Sequence, residues 1–316
     1  YIQPTTKAHN VLYRIHKDKL NVNEFIPIVK HYEICEQIFL DLKANINKVD
    51  DYGQFFNNKV SVVFNAIERS GISIHREHFK KHFYDESESK VYTNYNIRTT
   101  TTRPSNIYKR VNYGAISKKD DRRQSFIPSN DVYVELDISA FHPSLVCNLI
   151  DYVFPNMVDI HSHLAEMYGV DYKKSKELTF KQLYGGVFKE YKDIEYFKRI
   201  DIYVKELWDE FNSKGHIICP ISSYKFEKNE LKDMNPQKLF NYLLQNLETS
   251  LNVLILWDIL KILQGKNTKL VLYVFDSFLL DVDEKELDVV EEIRGVFKKY
   301  KLNIKEKKGT DYQLLG

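Results

Sequence analysis

The sequence predicts an α+β fold in which an antiparallel sheet is set among helices. Three observations carry that reading. The stretches VYVELD (132–137) and KLVLYVFDSFLLDV (269–282) are apolar runs of strand length, and the second folds back on itself at Asp276-Ser277. Helical periodicity fills residues 159–211 and 236–263. The two kinds of segment do not alternate as βαβ units and no internal repeat is visible, which argues against a doubly wound sheet.

Taken in order, residues 1–59 are expected to be mostly helical, on the spacing of apolar residues in FIPIVKHYEICEQIFLDL (25–42). Residues 60–79 read as a helix ended by Gly71, a short extended piece and a second helix. DESESK (85–90) and the threonine run Thr99 to Thr102 read as exposed loop. From Asp121 the pattern is strand-like up to Asp137. KGHIICPISSYKF (214–226) reads as a β-hairpin, and 236–263 as one long helix with Pro236 at its start. After the two strands of 269–282 come a helix and a last strand near 302–308.

With 316 residues and 43% hydrophobic content the chain can bury a sizeable core. Its formal net charge of +2 is no global basic excess, so any nucleic-acid role must rest on local patches. Cys35, Cys147 and Cys219 lie far apart without metal-ligand spacing and read as reduced thiols of a cytoplasmic protein. No apolar run reaches the ~20 residues of a membrane span, and there is no signal peptide, so no membrane partner is expected. The chain begins at Tyr1 without Met and is expected to be a fragment or a processed product.

Two residues stand out chemically. Asp137 closes the apolar VYVEL and Asp276 follows KLVLYVF. A carboxylate in such a place is partly desolvated and needs a cation or donors. Two of them on adjacent strands could hold a pair of magnesium ions about 3.5–4 Å apart, as phosphoryl or nucleotidyl transfer requires. A turn role for each is the alternative. The second signal is DYKKSKELTFKQLYGGV (171–187), a helix on which Lys176, Phe180 and Tyr184 recur at steps of four and share a face. That face could grip a triphosphate and stack a base, or be an amphipathic surface with two core aromatics.

The segment K-x3-F-x3-YG resembles motif B of the family A (DNA polymerase I-like) DNA polymerases. Other segments follow collinearly over about residues 60–316. RRQSFIPSNDVYVELDISAFHPSLV (122–146) resembles motif A, and YVFDSFLLDV (273–282) resembles motif C. DIHSHLAEMYGV (159–170) resembles the DIH segment, and NYLLQ (241–245) the N-x3-Q of the minor-groove helix. TTTTRPSN (99–106) resembles the T-x-T-x-R-x-S-S motif, and FNAIERSGISI (64–74) the entrance to the thumb.

The resemblance implies a right-hand polymerase with an antiparallel-sheet palm (103–158 and 212–316), helical fingers (159–211) and a reduced thumb or entry segment (60–102). Residues 1–59 would be the end of a lost exonuclease-like domain; no acidic exonuclease cluster is present, so no proofreading is expected. The implied activity is template-directed addition of dNTPs to a primer 3′ end, with primer-template DNA and dNTPs as partners and a processivity or replisome partner to offset the small thumb. Asp137, Asp276 and the backbone carbonyl of Ile138 would hold two magnesium ions, for which manganese could substitute. Lys176, a catalytic residue, would contact the incoming nucleotide with His161 and Lys173, while Phe180 and Tyr184 line its pocket. Arg103, Arg123, Asn241 and Gln245 would touch the primer-template.

The departures from the family pattern are informative. His142 stands where the family has Glu, at the sugar gate, and a ring there could bond Tyr184. Tyr172 stands where the family has Arg, leaving Lys173 as the substitute cation. Motif A also reads like the family B pattern D-x-x-S-L-Y-P-S, and motif C has Phe275 and Ser277 for His and Glu. The motif C form HDSF of phage-type RNA polymerases keeps a single-subunit RNA polymerase or primase-like enzyme as an alternative, beside a catalytically weak palm that only binds DNA. Only about 30 residues separate Gly71 from Arg103, too few for a long helical thumb, which suggests a reduced viral or phage-type member.

Overall fold

The structure, a computed structural model, describes residues 50–84, 89–107, 119–154 and 159–315, with scattered positions at 32–44 and 113–117. The chain divides into two compact units, Tyr1–Gln54 and Phe55–Gly316. Most of the helix expected in the first unit lies outside the described residues; within it the Asp50 carboxylate accepts from the Gly53 N–H at 2.7 Å.

In the second unit a π-helical turn, Phe56–Val60, leads into α1 (Ser61–Ser70). Val63, Phe64 and Ile67 recur at helical spacing on its buried face. Gly71 ends it at a φ of 66°, where a Cβ would meet the Tyr92 ring at 2.8 Å. Strand β1 (Ile72–Ile74) and helix α2 (Arg76–Phe83) follow as expected. β1 lies between β2 (Lys90–Val91) and β5 (Phe126–Ile127) in a small antiparallel sheet, and β3 (Asn94–Asn96) pairs with β4 (Ser105–Ile107).

The main sheet is antiparallel, ordered β11 (Ile304–Gly309), β6 (Val132–Ile138), β10 (Ser277–Val282), β9 (Lys269–Val274). β6, β9 and β10 are largely apolar because both their faces are covered, whereas the edge strand β11 carries four charged residues. Val134, Leu136, Phe278 and Leu280 face one core, while Tyr133, Val271, Leu272 and Leu279 face a second core with Phe79 and Phe126. Over the first core lie α3 (Phe141–Leu149), α4 (Ile160–Tyr168), α5 (Tyr172–Gly185), α6 (Glu195–Lys214) and α8 (Leu287–Lys299). The hairpin β7 (His216–Ile218) and β8 (Lys225–Glu227) follows α6.

Running among these helices is α7 (Pro236–Ile262), with Pro at its start and the Asn235 side chain capping the Lys238 N–H at 2.9 Å. It is buried on several sides and carries buried polar residues, each with work to do. Asn246 donates to Thr102 Oγ1 at 2.8 Å, and Asn252 Nδ2 lies 2.8 Å from both the Tyr273 hydroxyl and the Phe275 carbonyl.

Three local expectations are corrected. The β9–β10 turn centres on Phe275-Asp276, because Ser277 already pairs with Val274 and Asp137. The segment from Asp121 starts as a 3-10 turn, Asp121–Ser125, before reaching β5. Thr101 and Thr102 are buried rather than exposed, since α7 supplies partners for their hydroxyls.

Replacing Asn252 by Ala strands a part-buried carbonyl and a buried phenol hydroxyl. The expected cost is about 2 kcal/mol in urea unfolding; a loss below about 0.5 kcal/mol would show that α7 does not hold the turn through this residue.

Candidate active site

Strand pairing brings the two aspartates together. Asp137 lies opposite Ser277 on one side and Lys305 on the other, and the Ile138 N–H donates to the Asp276 carbonyl at 2.9 Å. The backbone around them is strained. Phe275 has a φ of 57°, in a two-residue hairpin turn where glycine is the usual occupant. Ala140, which follows β6, has a φ of 48°, and the β-branched Thr102, next to Arg103, a φ of 59°. Each such residue costs on the order of 1–3 kcal/mol and persists only where its surroundings enforce it.

Burial, then the charge of Asp137, pushes the Asp276 carboxyl up to about 6. Glu248 adds to the repulsion, while Arg103 works against it. Arg103 has other partners as well. Its Nε donates to Glu248 Oε1 at 3.2 Å, and its guanidinium lies 4.1 Å from the Phe275 ring centre.

The aspartates line a cavity of about 230 Å³ whose facing wall is α5. Asp171 caps that helix by accepting from the Lys174 N–H at 2.9 Å. Ser175, Thr179, Gln182 and Leu183 form its buried side, where Ser175 Oγ donates to the His161 carbonyl at 2.8 Å and Gln182 Nε2 to the Tyr168 hydroxyl at 2.9 Å. This anchoring leaves Lys176, Phe180 and Tyr184 on the cavity side, with the two rings stacked at 5.8 Å.

His161 enters the cavity from α4 and lies 5.7 Å from the Phe180 ring. It is 2% exposed, yet neither ring nitrogen has a hydrogen-bond partner. Burial pulls its imidazole below the ordinary histidine range; Lys176 and Lys305 push the same way, against Asp159. The ring is therefore neutral at pH 7, and it offers one donor and one acceptor without occupant.

His142 is the hub of the remaining wall. Its Nε2 is 2.5 Å from Glu248 Oε2 and its Nδ1 is 2.6 Å from the Tyr184 hydroxyl. A carboxylate only accepts, so Nε2 carries a proton, and in the neutral ring Nδ1 accepts from the phenol. Burial, then the Glu248 charge, pushes Tyr184 up to about 12, which keeps that hydroxyl a donor. A continuous path, Tyr184–His142–Glu248–Arg103, thus joins α5, α3 and α7 to the loop before β4.

Of the residues singled out in the sequence, Arg103, Asp137, Ile138, His142, His161, Lys176, Phe180, Tyr184 and Asp276 line this one cavity. Lys173 does not; it is exposed on α5. Asn241 and Gln245 lie on α7 at its edge, where Asn241 Nδ2 donates to the Tyr184 carbonyl at 3.0 Å and Gln245 accepts from Thr101 Oγ1 at 3.0 Å. Arg123 does not line the cavity either. It is 3% exposed, its guanidinium lies 3.7 Å from the Tyr312 ring centre, and its Nε donates to the Tyr312 carbonyl, so it packs into the second core.

Sequence reading missed Glu248 and Lys305, which also line the cavity, and passed over Tyr172, which lines it, in favour of Lys173, which does not. Glu248 had a signal: it is the lone charge on α7 between Lys238 and Asp258, and it shares a helical face with Asn241 and Gln245. Lys305 had none, because a lysine in an edge strand reads as protection against edge pairing.

No family model matches the sequence, and no curated protein matches it. Among solved structures the chain is similar to the POL domain of Pol1 from M. smegmatis, determined in complex with DNA primer-template and dNTP. The TM-score is 0.61 at 15% identity, over 71% of this chain and 48% of that one. This chain therefore spans about half the length of the structure it matches, and the likeness is one of fold, here a mixed α/β architecture built on an antiparallel sheet.

Proposed function

We propose that this chain is a template-directed DNA polymerase of the family A type, adding dNTPs to a primer 3′ end by two-metal nucleotidyl transfer. The observation that carries the reading is the pair of aspartates, Asp137 on β6 and Asp276 in the turn that enters the adjoining β10, facing Lys176, Phe180 and Tyr184 across one cavity. Residues 103–158 and 212–316 act as the palm, 159–211 as the fingers and 60–102 as a reduced thumb, in the manner of a trimmed viral or phage enzyme. The fold shared with a primer-template complex of a polymerase supports that layout. No described helix is long and apolar enough to cross a membrane, and the expected workplace is the cytoplasm.

The donor set fits a divalent cation. Two carboxylates held together at a repulsive cost, with Ile138 beside them in the cavity wall, are hard oxygen ligands of the kind magnesium selects. Magnesium bound there supplies charge neutralisation and a more acidic primer 3′-hydroxyl. Lys176 and the unpartnered His161 bind the triphosphate, one as a point charge and the other as a hydrogen-bonding ring. Phe180 and Tyr184 stack under the base pair. Arg103, Asn241 and Gln245 meet the primer-template at the edge of the cavity, where minor-groove acceptors allow pair geometry to be checked without reading sequence. His142, held between Tyr184 and Glu248, faces the sugar and excludes a 2′-hydroxyl.

Extension of a primed template separates this reading from its rivals. Wild type should extend with dNTPs in magnesium, and Asp137→Ala or Asp276→Ala should abolish extension while sparing DNA binding. Equal extension by either variant overturns the reading; a preference for NTPs turns it toward an RNA polymerase or primase-like enzyme. His142→Ala should reduce discrimination against ribonucleotides by roughly tenfold or more, and an unchanged ratio would place the gate elsewhere.

The raised Asp276 carboxyl makes a further prediction. Its pKa of about 6 in the fold exceeds the unfolded value near 3.8. The folded state therefore binds more protons between these values, and this group's contribution to stability falls as pH rises toward 6. In metal-free buffer at pH 7, Asp276→Asn should raise the melting temperature by roughly 2 °C. Magnesium should raise that of wild type but not of the variant, and its affinity should weaken as pH drops through 6. A variant less stable than wild type under chelation would show that the pair is not in repulsion.

A further inference from the structure

A second cluster of ligating side chains lies outside the active-site cavity. Helix α2 carries His78 and His82 one turn apart, so their rings overlap with centroids 4.4 Å apart. The 3-10 turn Asp121–Ser125 packs against this helix and brings the Asp121 carboxylate to 3.7 Å from His82 Nε2, beyond hydrogen-bonding range. One ring nitrogen of each histidine and one Asp121 oxygen lie within 4.8 Å of one another.

The surroundings favour a ligand. His82 Nε2 is buried without a hydrogen-bond partner, a desolvated polar atom left uncompensated. The buried Ser125 hydroxyl lies 2.8 Å from His78 Nδ1 and fixes that ring, as outer-shell partners of metal-bound histidines do. The same two elements are already joined at the backbone, where the His75 N–H donates to the Ser125 carbonyl at 2.9 Å. Asp121 is exposed and free to rotate inward, which would bring the three atoms toward the spacing set by metal–nitrogen bonds of about 2.0–2.1 Å. Lys81 is a neighbouring cation, and Arg122 is taken up by Asp120, whose carboxylate also acts on His82.

Two imidazoles and a carboxylate are borderline donors that suit zinc and its neighbours rather than magnesium or calcium. We propose that His78, His82 and Asp121 bind a divalent transition-metal ion, with zinc the best fit, and that the ion clips α2 to the turn leading into β5. Three protein ligands leave a fourth position for water. The role is structural: the ion ties the entry segment to the chain that continues into β6. This inference does not rest on the polymerase reading, since none of its ligands lines the catalytic cavity.

The test is titration of chelator-stripped, full-length protein with zinc chloride, followed by calorimetry, and with cobalt chloride, followed by visible absorption. Wild type should bind one zinc ion at this site and give a tetrahedral cobalt spectrum. Asp121→Ala, a change at an exposed residue that keeps the fold, should weaken zinc binding at least tenfold, and His82→Ala should do so at least as strongly. Asp137→Ala should retain the site, which separates it from zinc held at the catalytic pair. Zinc should raise the melting temperature of wild type but not of Asp121→Ala. Equal zinc affinity and stoichiometry in wild type and Asp121→Ala, or no uptake by wild type at micromolar zinc, overturns the proposal, whatever the outcome of the extension assay.

Discussion

The repulsion between Asp137 and Asp276 is the constraint around which the rest of this structure is organised. Backbone hydrogen bonds and strand pairing fix the two half-buried residues side by side, and the partial burial of Asp276 weakens the screening of its charge. A fold that served only its own stability would separate or remove one of them. Their surroundings instead lock the arrangement. Asn252 ties the Phe275 carbonyl to the buried centre of α7, and strained backbone at Phe275 and Ala140 sets the chain direction beside each acid. The cost is met by the extensive apolar burial of the sheet on both faces.

That constraint explains why α7 is polar where it is most buried. Asn246, Glu248, Thr249, Ser250 and Asn252 occupy positions that an ordinary core helix would fill with Leu or Ala. Asn246, Glu248 and Asn252 reach groups that no regular ladder satisfies, the loop at Thr102 and Arg103, the histidine of α3 and the turn of β9–β10, while Thr249 and Ser250 donate back to carbonyls of α7. A half-satisfied network in this place would be worse than an apolar one, so its partners are specified together.

The fold was legible in the sequence wherever one period dominated a long window. The helix from Pro236, the hairpin around Lys214–Phe226 and the two strands meeting near Asp276 were all readable on this basis, with boundaries shifting by a residue or two. Legibility failed where tertiary partners decide. Threonines read as an exposed loop are buried because Gln245 and Asn246 lie far along the chain and meet them only in space. Arg123 sat in a motif-like stretch, but its burial depends on Tyr312, near the other end of the sequence. At the site, Asp137, Asp276 and the Lys176–Phe180–Tyr184 face were visible because an acid after an apolar strand and a four-residue recurrence are local patterns. Lys305 owes its place to register across β6 and β11, which no local pattern encodes.

Glu248 shows what is gained by siting a carboxylate on α7, within reach of both His142 and Arg103. The proton on His142 Nε2 is held by Glu248 and the opposite nitrogen is left for Tyr184, so the tautomer of that ring is set from behind. Glu248 also accepts from Arg103, whose guanidinium covers Phe275 in the turn that presents Asp276. One carboxylate therefore bonds both to the ring that holds Tyr184 on the cavity wall and to the arginine that partly offsets the charge of the aspartate pair. Rotating α5 so as to release Tyr184 from His142 would loosen the hold on that ring while leaving the Arg103–Glu248 pair intact. The two halves of the path are thus separable at Glu248, one running to α5 and the other to the turn that holds Asp276.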